Sequence, residues 1–419
     1  MTTHKSPVQE PARMKSRLPF VFVIITLLLD SVGIGIIIPV MPDLVQDLTG
    51  GSISSAALWG GFLATTYAVM QFICGPTIGN LSDRYGRRPV LLISVFVMGL
   101  DYILLSLADT IWLLFIGRVI AGITGATFST AAAYVADISP ADKRAANFGL
   151  IGASFGIGFI IGPAIGGLLG ELGPRAPFMV AAAFALANFA LGYFILPETL
   201  APEKRRAFDW RRANPLGALM VVRRIPHMTS LVAVLFIFTI SHQVYPSIWS
   251  YYTIEAFDFS PKMIGISLAI FGIFMAIMQG GLIRVIIPRF GEMKTARFGL
   301  ILNLVVFILV AFIGNFWLLF ALMPFMAFGA VVGPALQGIM SNIVDEDAQG
   351  ELQGIVSSVN ALAMIFSPIA MTGIFRFFTA ENAPIHLPGA PFLASAVLEA
   401  IALVFLIGLA RRVFASKSA

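Results

Sequence analysis

The chain has 419 residues, of which 58% are hydrophobic and only 12% charged, with a mean hydropathy of +0.90. Soluble domains are close to half apolar and a quarter charged, so composition excludes a soluble enzyme or binding module and predicts an integral membrane protein. The formal net charge is +5, and where the basic residues lie decides whether that speaks for nucleic acid.

The first 17 residues are polar, and the apolar run after them is too long for a signal-peptide core, so no cleavable leader is expected. Apolar runs long enough to cross a bilayer at the helical rise follow at 18–40, 57–79, 89–108, 111–136, 147–170, 177–196, 228–250, 262–283, 295–313, 316–340, 352–374 and 391–410. The prediction is an all-α membrane protein of twelve transmembrane helices. A polar connection, 197–227, divides it into six-helix halves at 18–196 and 228–410, with tails at 1–17 and 411–419.

Of the 27 Lys and Arg residues, 23 fall in the two tails, the connection and the loops on the same side of the membrane. Only Arg175, Lys262 and Arg376 fall on the other side, and Arg118 lies within a span. The positive-inside rule then puts both termini in the cytoplasm, and the basic charge is topological, with no nucleic-acid partner. The halves also read as a repeat: "RYG" at 84–86 returns as "RFG" at 289–291, and "GP" at 162–163 as "SP" at 367–368, both at an offset of 205. In duplicated transporters the substrate site lies between the halves, near the midplane.

Five polar groups inside the spans are predicted at one depth, about 18–21 Å from the inner face by helical rise: Asp30, Asp101, Arg118, Glu399 and His242. Intramembrane charges suggest function by default. A carboxylate that alternates between a buried setting and an arginine partner can take a proton on one side and release it on the other. Asp30, Asp101 and Glu399 are the candidate coupling carboxylates, with Arg118 tuning them. A static ion pair that orients helices is the alternative for Asp30 and Arg118, and a role in packing the alternative for Glu399 and His242. Tyr67, Gln71, His242, Gln243 and Tyr245 are candidate cavity-lining residues. The glycines of "GASFGIGFIIGPAIGG" (Gly152, Gly156, Gly158, Gly162, Gly166 and Gly167), together with Pro163, predict one smooth, kinked helix face that packs closely against a neighbour.

Four stretches carry a family resemblance. "GNLSDRYGRR" at 79–88, with Gly79, Asp83, Arg84, Gly86, Arg87 and Arg88, resembles the signature loop between spans 2 and 3 of the major facilitator superfamily. "DSVGIGIIIPVMP" (30–42), "RVIAGITGA" (118–126) and the glycine-rich fifth span resemble its proton-coupled drug antiporters. "LDY" at 100–102 and "GRVIAGITGAT" at 117–127 are most similar to the tetracycline/H⁺ antiporter branch. The resemblance implies that the loop is a conformational latch, with Asp83 facing the start of span 11 near Gly350 and Asp137 in range of Arg84 or Arg87. The plain alternative is that three arginines only hold the loop inside. That branch also has an aspartate in span 9 and a histidine in span 8, where this chain has Asn303 and Ala276, which weighs against a tetracycline–metal chelate.

No phosphate-binding glycine loop precedes a Lys-Ser/Thr pair, so ATP-driven transport lacks a motor. Four scattered histidines and one cysteine offer no metal-ligand spacing. The expectation is a non-enzymatic, proton-coupled antiporter in the inner membrane that expels small amphipathic drugs by alternating access. It needs no cofactor beyond the proton gradient, with Mg²⁺ only as part of a tetracycline chelate, and nothing demands more than a monomer. A metabolite symporter or uniporter is one rival, and a non-transporting membrane sensor another.

Overall fold

The structure is a computed structural model and describes residues 18–125, 127–140, 142–208, 222, 228–345 and 348–415. The 1–17 tail, most of the 197–227 connection, Ala126 of the fourth-span motif and the end of the chain after 415 lie outside the described residues. Among the described residues there are twelve helices long and apolar enough to cross a membrane. Spans 1 to 6 are Leu18–Ile37, Ile53–Tyr85, Arg87–Ser106, Ile111–Ile138, Arg144–Gly170 and Ala176–Ile195. Spans 7 to 12 are Met228–Phe257, Pro261–Phe290, Glu292–Phe312, Phe316–Ser341, Gln349–Thr379 and Ala390–Ala415. Helices satisfy every backbone group internally, which lipid requires.

Several spans outrun the predicted ranges. Span 2 has 33 residues, so at the helical rise it is about 50 Å long and extends past a ~30 Å hydrocarbon core. Its first turn is capped by Ser52, whose hydroxyl accepts the Ser55 amide at 3.4 Å. A short amphipathic helix, Met41–Thr49, which the apolar runs did not announce, joins spans 1 and 2 and ends at Gly50, with φ 63°. Four spans are interrupted: span 4 at Gly125, span 7 at Gln243, span 8 by a π-helical turn at Met278–Leu282, and span 10 between Gly329 and Val332. Such irregular backbone persists at membrane depth where protein or a cavity surrounds it.

The halves are hydrogen-bonded to one another at the end away from the 79–88 loop. Ser54 donates to the Arg376 carbonyl at 3.4 Å and contacts Thr379, Thr65 donates to Ile365 at 2.9 Å, and Ser250 donates to Ile38 at 3.0 Å. Two close backbone crossings complete this seal. Span 5 meets span 8, where a Cβ on Gly167 would lie 2.5 Å from the Pro261 carbonyl and 3.0 Å from the Gly265 Cα. Span 2 meets span 11, where a Cβ on Gly61 would lie 3.0 Å from the Pro368 carbonyl. At the loop end, Gly79, Gly280, Gly281 and Gly350 have open space where a side chain would stand. The molecule is therefore closed on one face and open on the face that carries the loop.

The predicted fifth-span face divides in two. Gly158 and Gly162 lie against the Leu28 and Val32 carbonyls of span 1, Gly166 against Ile36, and the Pro163 ring against Gly35, while Gly167 turns to span 8. Gly152 and Gly156 face open space and take no part in that packing, because span 5 leaves its neighbours toward the open end. The helix continues through Pro163 from Arg144 to Gly170.

Candidate substrate and proton site

Below the seal the halves enclose a cavity of about 750 Å³. Its polar groups come unequally from the two sides. The N-terminal half presents Asp30, Tyr67, Gln71, Asp101, Tyr102 and Arg118, and the C-terminal half presents Gln243, Ser247, Ser250, Tyr251 and Gln279. All formal charge on the wall therefore belongs to spans 1, 3 and 4. The rest is largely apolar, with Ile34, Ile38, Met98, Phe128, Phe155 and Met364 among the lining residues.

Small residues seat the charged ones. Gly117 leaves room for Asp101, since a Cβ there would lie 2.9 Å from Oδ1. Gly33 admits the Tyr102 ring, whose Cζ would lie 3.1 Å from such an atom. Gln71 donates to the Tyr67 hydroxyl at 3.2 Å and to the Gly125 carbonyl at 3.3 Å, which steadies the interruption of span 4. Both oxygens of Asp101, Oδ1 of Asp30, and Nε and Nη2 of Arg118 are buried with no hydrogen-bond partner among the described residues. No ion pair among the described residues joins Arg118 to either aspartate. Buried polar groups without partners are costly, and here both acceptors and donors front a space large enough for a drug-sized molecule.

Three sequence-predicted residues lie elsewhere. Glu399, His242 and Tyr245 do not line the cavity; they sit inside the C-terminal half. The His242 ring packs among Phe238, Tyr245 and Phe307 at centroid distances of 4.9, 5.5 and 6.2 Å. Tyr245 adds Phe271 and Phe392 to that cluster. Helical rise fixes a residue's height and says nothing of its direction around the axis, which separates these three from Gln243. Asn303 donates to the Gly329 carbonyl at 3.3 Å, and neither it nor Ala276 lines the cavity. Among the described residues no cluster of three or more His, Cys, Asp or Glu could hold a metal ion.

The 79–88 loop is held within its own half. Asp83 pairs with Arg87 at 2.6 Å and Asp137 with Arg87 at 3.3 Å, while Arg84 lies over the Tyr85 ring, 5.1 Å from its centroid. The predicted approach of Asp83 to the start of span 11 is not made in this arrangement, because the loop end is open. Gly86, at φ 108°, turns span 2 into span 3, and a Cβ there would lie 2.7 Å from the Glu198 carboxyl carbon.

The Major Facilitator Superfamily profile matches residues 23–368 and 243–418. The chain belongs to the major facilitator superfamily. It is 39% identical to the class C tetracycline resistance protein of Escherichia coli, over 86% of this chain and 91% of that one. It is 27% identical to the quinolone resistance protein NorA of Staphylococcus aureus, over 88% and 92% of the two chains. The crystal structure of the human organic anion transporter TETRAN superposes with a TM-score of 0.66 at 26% identity, covering 95% of this chain and all of that one.

The superfamily loop has a partner here that sequence reading missed. Glu198, just past span 6, accepts the backbone amides of Arg87 at 2.9 Å and Arg88 at 3.3 Å, so it caps the start of span 3. A carboxylate is favoured there by the helix dipole. Thr199 donates to Asp137 at 3.2 Å, and the Arg206 amide to the Asp83 carbonyl at 3.1 Å. The signal was present as "PET" at 197–199, an acidic residue beside a basic loop, but nothing in the linear order pairs it with Arg87.

Proposed function

We propose that this protein is a proton-coupled efflux antiporter that expels a small amphipathic drug across the inner membrane, with both termini in the cytoplasm. The observation that carries the reading is the cavity, apolar for most of its wall, closed on one face, with Asp30, Asp101 and Arg118 turned toward it unpartnered. Its opening lies on the side of the basic loops, the cytoplasmic side by the positive-inside rule. Relatives named for tetracycline and quinolone resistance support a drug as cargo.

Coupling follows from competition for the same oxygens. With the cavity empty, a proton on Asp30 or Asp101 satisfies the carboxyl; a drug that brings a donor or positive charge takes that place and displaces the proton. The transporter rocks only when the site is satisfied one way or the other, because an unpaired carboxylate cannot be sealed into an apolar cavity at low cost. Arg118 binds acceptor groups of the drug and orients it between the two aspartates. The protein acts as a monomer, and Mg²⁺ enters only as part of the cargo.

The test is proton movement in inside-out vesicles loaded with the protein and followed with a pH-quenched dye, adding tetracycline with Mg²⁺ first. Drug-driven proton release is expected, and Asp101→Asn should abolish it. Drug movement that proceeds unchanged in Asp101→Asn, or that runs out of the vesicles instead of into their lumen, would sink the reading.

A further inference from the structure

Glu399 of span 12 is wholly withdrawn from solvent and lies outside the cavity. Its Oε1 accepts the Ser241 hydroxyl at 2.6 Å, while Oε2 has no hydrogen-bond partner within bonding geometry among the described residues. Ser241 stands two residues before the interruption of span 7 at Gln243. The carbonyls at that interruption are held from outside the span: Ser367 of span 11 donates to Ile240 at 2.9 Å and Ser395 of span 12 to Ser241 at 3.1 Å. Beyond the interruption, span 7 puts Gln243 on the cavity and carries Ser250 to the Ile38 carbonyl and Tyr251 against Gly60. One buried carboxyl thus grips a hinge whose far arm closes the molecule.

We propose that Glu399 is a proton-binding positioning residue of the C-terminal half, which through Ser241 sets the hinge of span 7 and so the seal. This deepens the efflux reading and rests on it for the protons. In the closed arrangement the carboxyl has the Ser241 hydroxyl on Oε1, the neutral Asn303 amide beside it and, among the described residues, no cation in contact, which suits the neutral acid in an apolar helix core. Deprotonation breaks the O–H bond and passes the proton to a water molecule that reaches the carboxyl from beside Gln243 as the hinge loosens. The carboxylate left behind binds the Ser241 hydroxyl more strongly and draws water to Oε2, which the close packing of the sealed state does not admit. Loss of the proton therefore favours release of the seal.

The surroundings leave few other groups to titrate. From span 7 come His242, both ring nitrogens unpartnered, and the Tyr245 hydroxyl; span 9 contributes the neutral Asn303. The charged residues of the packed spans lie near their ends: Glu292, Lys294 and Arg297 in span 9, Glu351 and Arg376 in span 11, and Glu255, beside His386, in span 7.

The experiment measures the distance across the sealed end by paired spin labels at Asp47→Cys and Lys262→Cys, in a Cys74→Ala background, from mildly acidic to mildly alkaline pH. With Asp30→Asn and Asp101→Asn present, so that the cavity carboxylates are silent, the long-distance population should still grow as pH rises. Adding Glu399→Gln should remove that growth, and Ser241→Ala, which keeps the carboxyl, should at least halve it. His242→Gln should leave it intact. A response absent from the Asp30/Asp101 background, unchanged by Glu399→Gln and Ser241→Ala, or lost in His242→Gln would overturn the proposal. Because distances are read without drug, that failure is distinct from a failure of drug-driven proton release in vesicles.

Discussion

The two halves match where they close and differ where they bind. At the seal, the Pro163 carbonyl faces Gly265 and the Pro368 carbonyl faces Gly61, the same crossing made twice around the pseudo-symmetry axis. At the other end the loop glycines Gly86 and Gly291 are a second matched pair, both at positive φ, 108° and 78°. In the cavity the symmetry is lost: Asp30, Asp101 and Arg118 have only amide, hydroxyl and thioether groups opposite them. Duplication kept the main-chain geometry, which both halves need in order to rock, and left the side chains free to specialise. The N-terminal half holds the charge; the C-terminal half holds its own carboxyl in its core, at Glu399.

Breaking the seal should have the largest effect. Gly167→Val and Gly61→Val each force side-chain atoms onto a facing carbonyl, an overpacking that costs roughly 1–3 kcal/mol. Each should lower the share of the molecule closed at this end by about tenfold for every 1.4 kcal/mol, as read by labels across the sealed face. Equal effects would support a symmetric seal; a change in one alone would show that one crossing carries closure. Removing the Glu198 cap comes next: Glu198→Ala should lower stability by about 1 kcal/mol, seen in thermal melts, with no counterpart expected in the C-terminal half.

The neutral wall should respond less than the charged one. Gln243→Ala removes one hydrogen-bonding group from the cavity and should weaken drug binding by about 1 kcal/mol, leaving drug-driven proton release in place. A loss of coupling in that variant would move the charge chemistry across to the C-terminal half. The smallest effect is at Asp43, on the short helix outside the spans. Burial, then Asp47 and Glu171, raise its carboxyl above the usual value of 3.8. The folded protein holds that proton more tightly than the unfolded chain does, so stability falls as pH rises from the ordinary carboxylate value through the raised one. Asp43→Asn should give a slight rise in melting temperature at neutral pH that vanishes in acid.

Much of the fold was legible because lipid leaves the chain so few choices. Apolar runs gave the twelve spans, and two matched offsets gave the repeat. The interruptions at Gln243 and at Met278–Leu282 were not legible, since their freed carbonyls are met by residues distant in sequence, such as Ser367 and Ser395. Within the site, height along a helix could be counted, and it grouped Asp30, Asp101, Arg118, Glu399 and His242 in one layer. Direction around the helix could not, because a wholly apolar span has no amphipathic stripe to orient it. Only packing separates Asp101, turned to the cavity beside Gly117, from Glu399, turned to Ser241.

A seal made of main chain has a further consequence. Where Gly167 lies on Pro261 and Gly61 on Pro368, nothing longer than a hydrogen atom stands between the backbones. The hydroxyls of Thr65, Ser250, Thr372 and Thr379 each donate to a carbonyl. Main chain packed this closely, with its hydroxyls already bonded to carbonyls, is a poor path for a proton. An idle copy closed in this way is expected to leak few protons, so that many copies could share one membrane at little expense to its gradient.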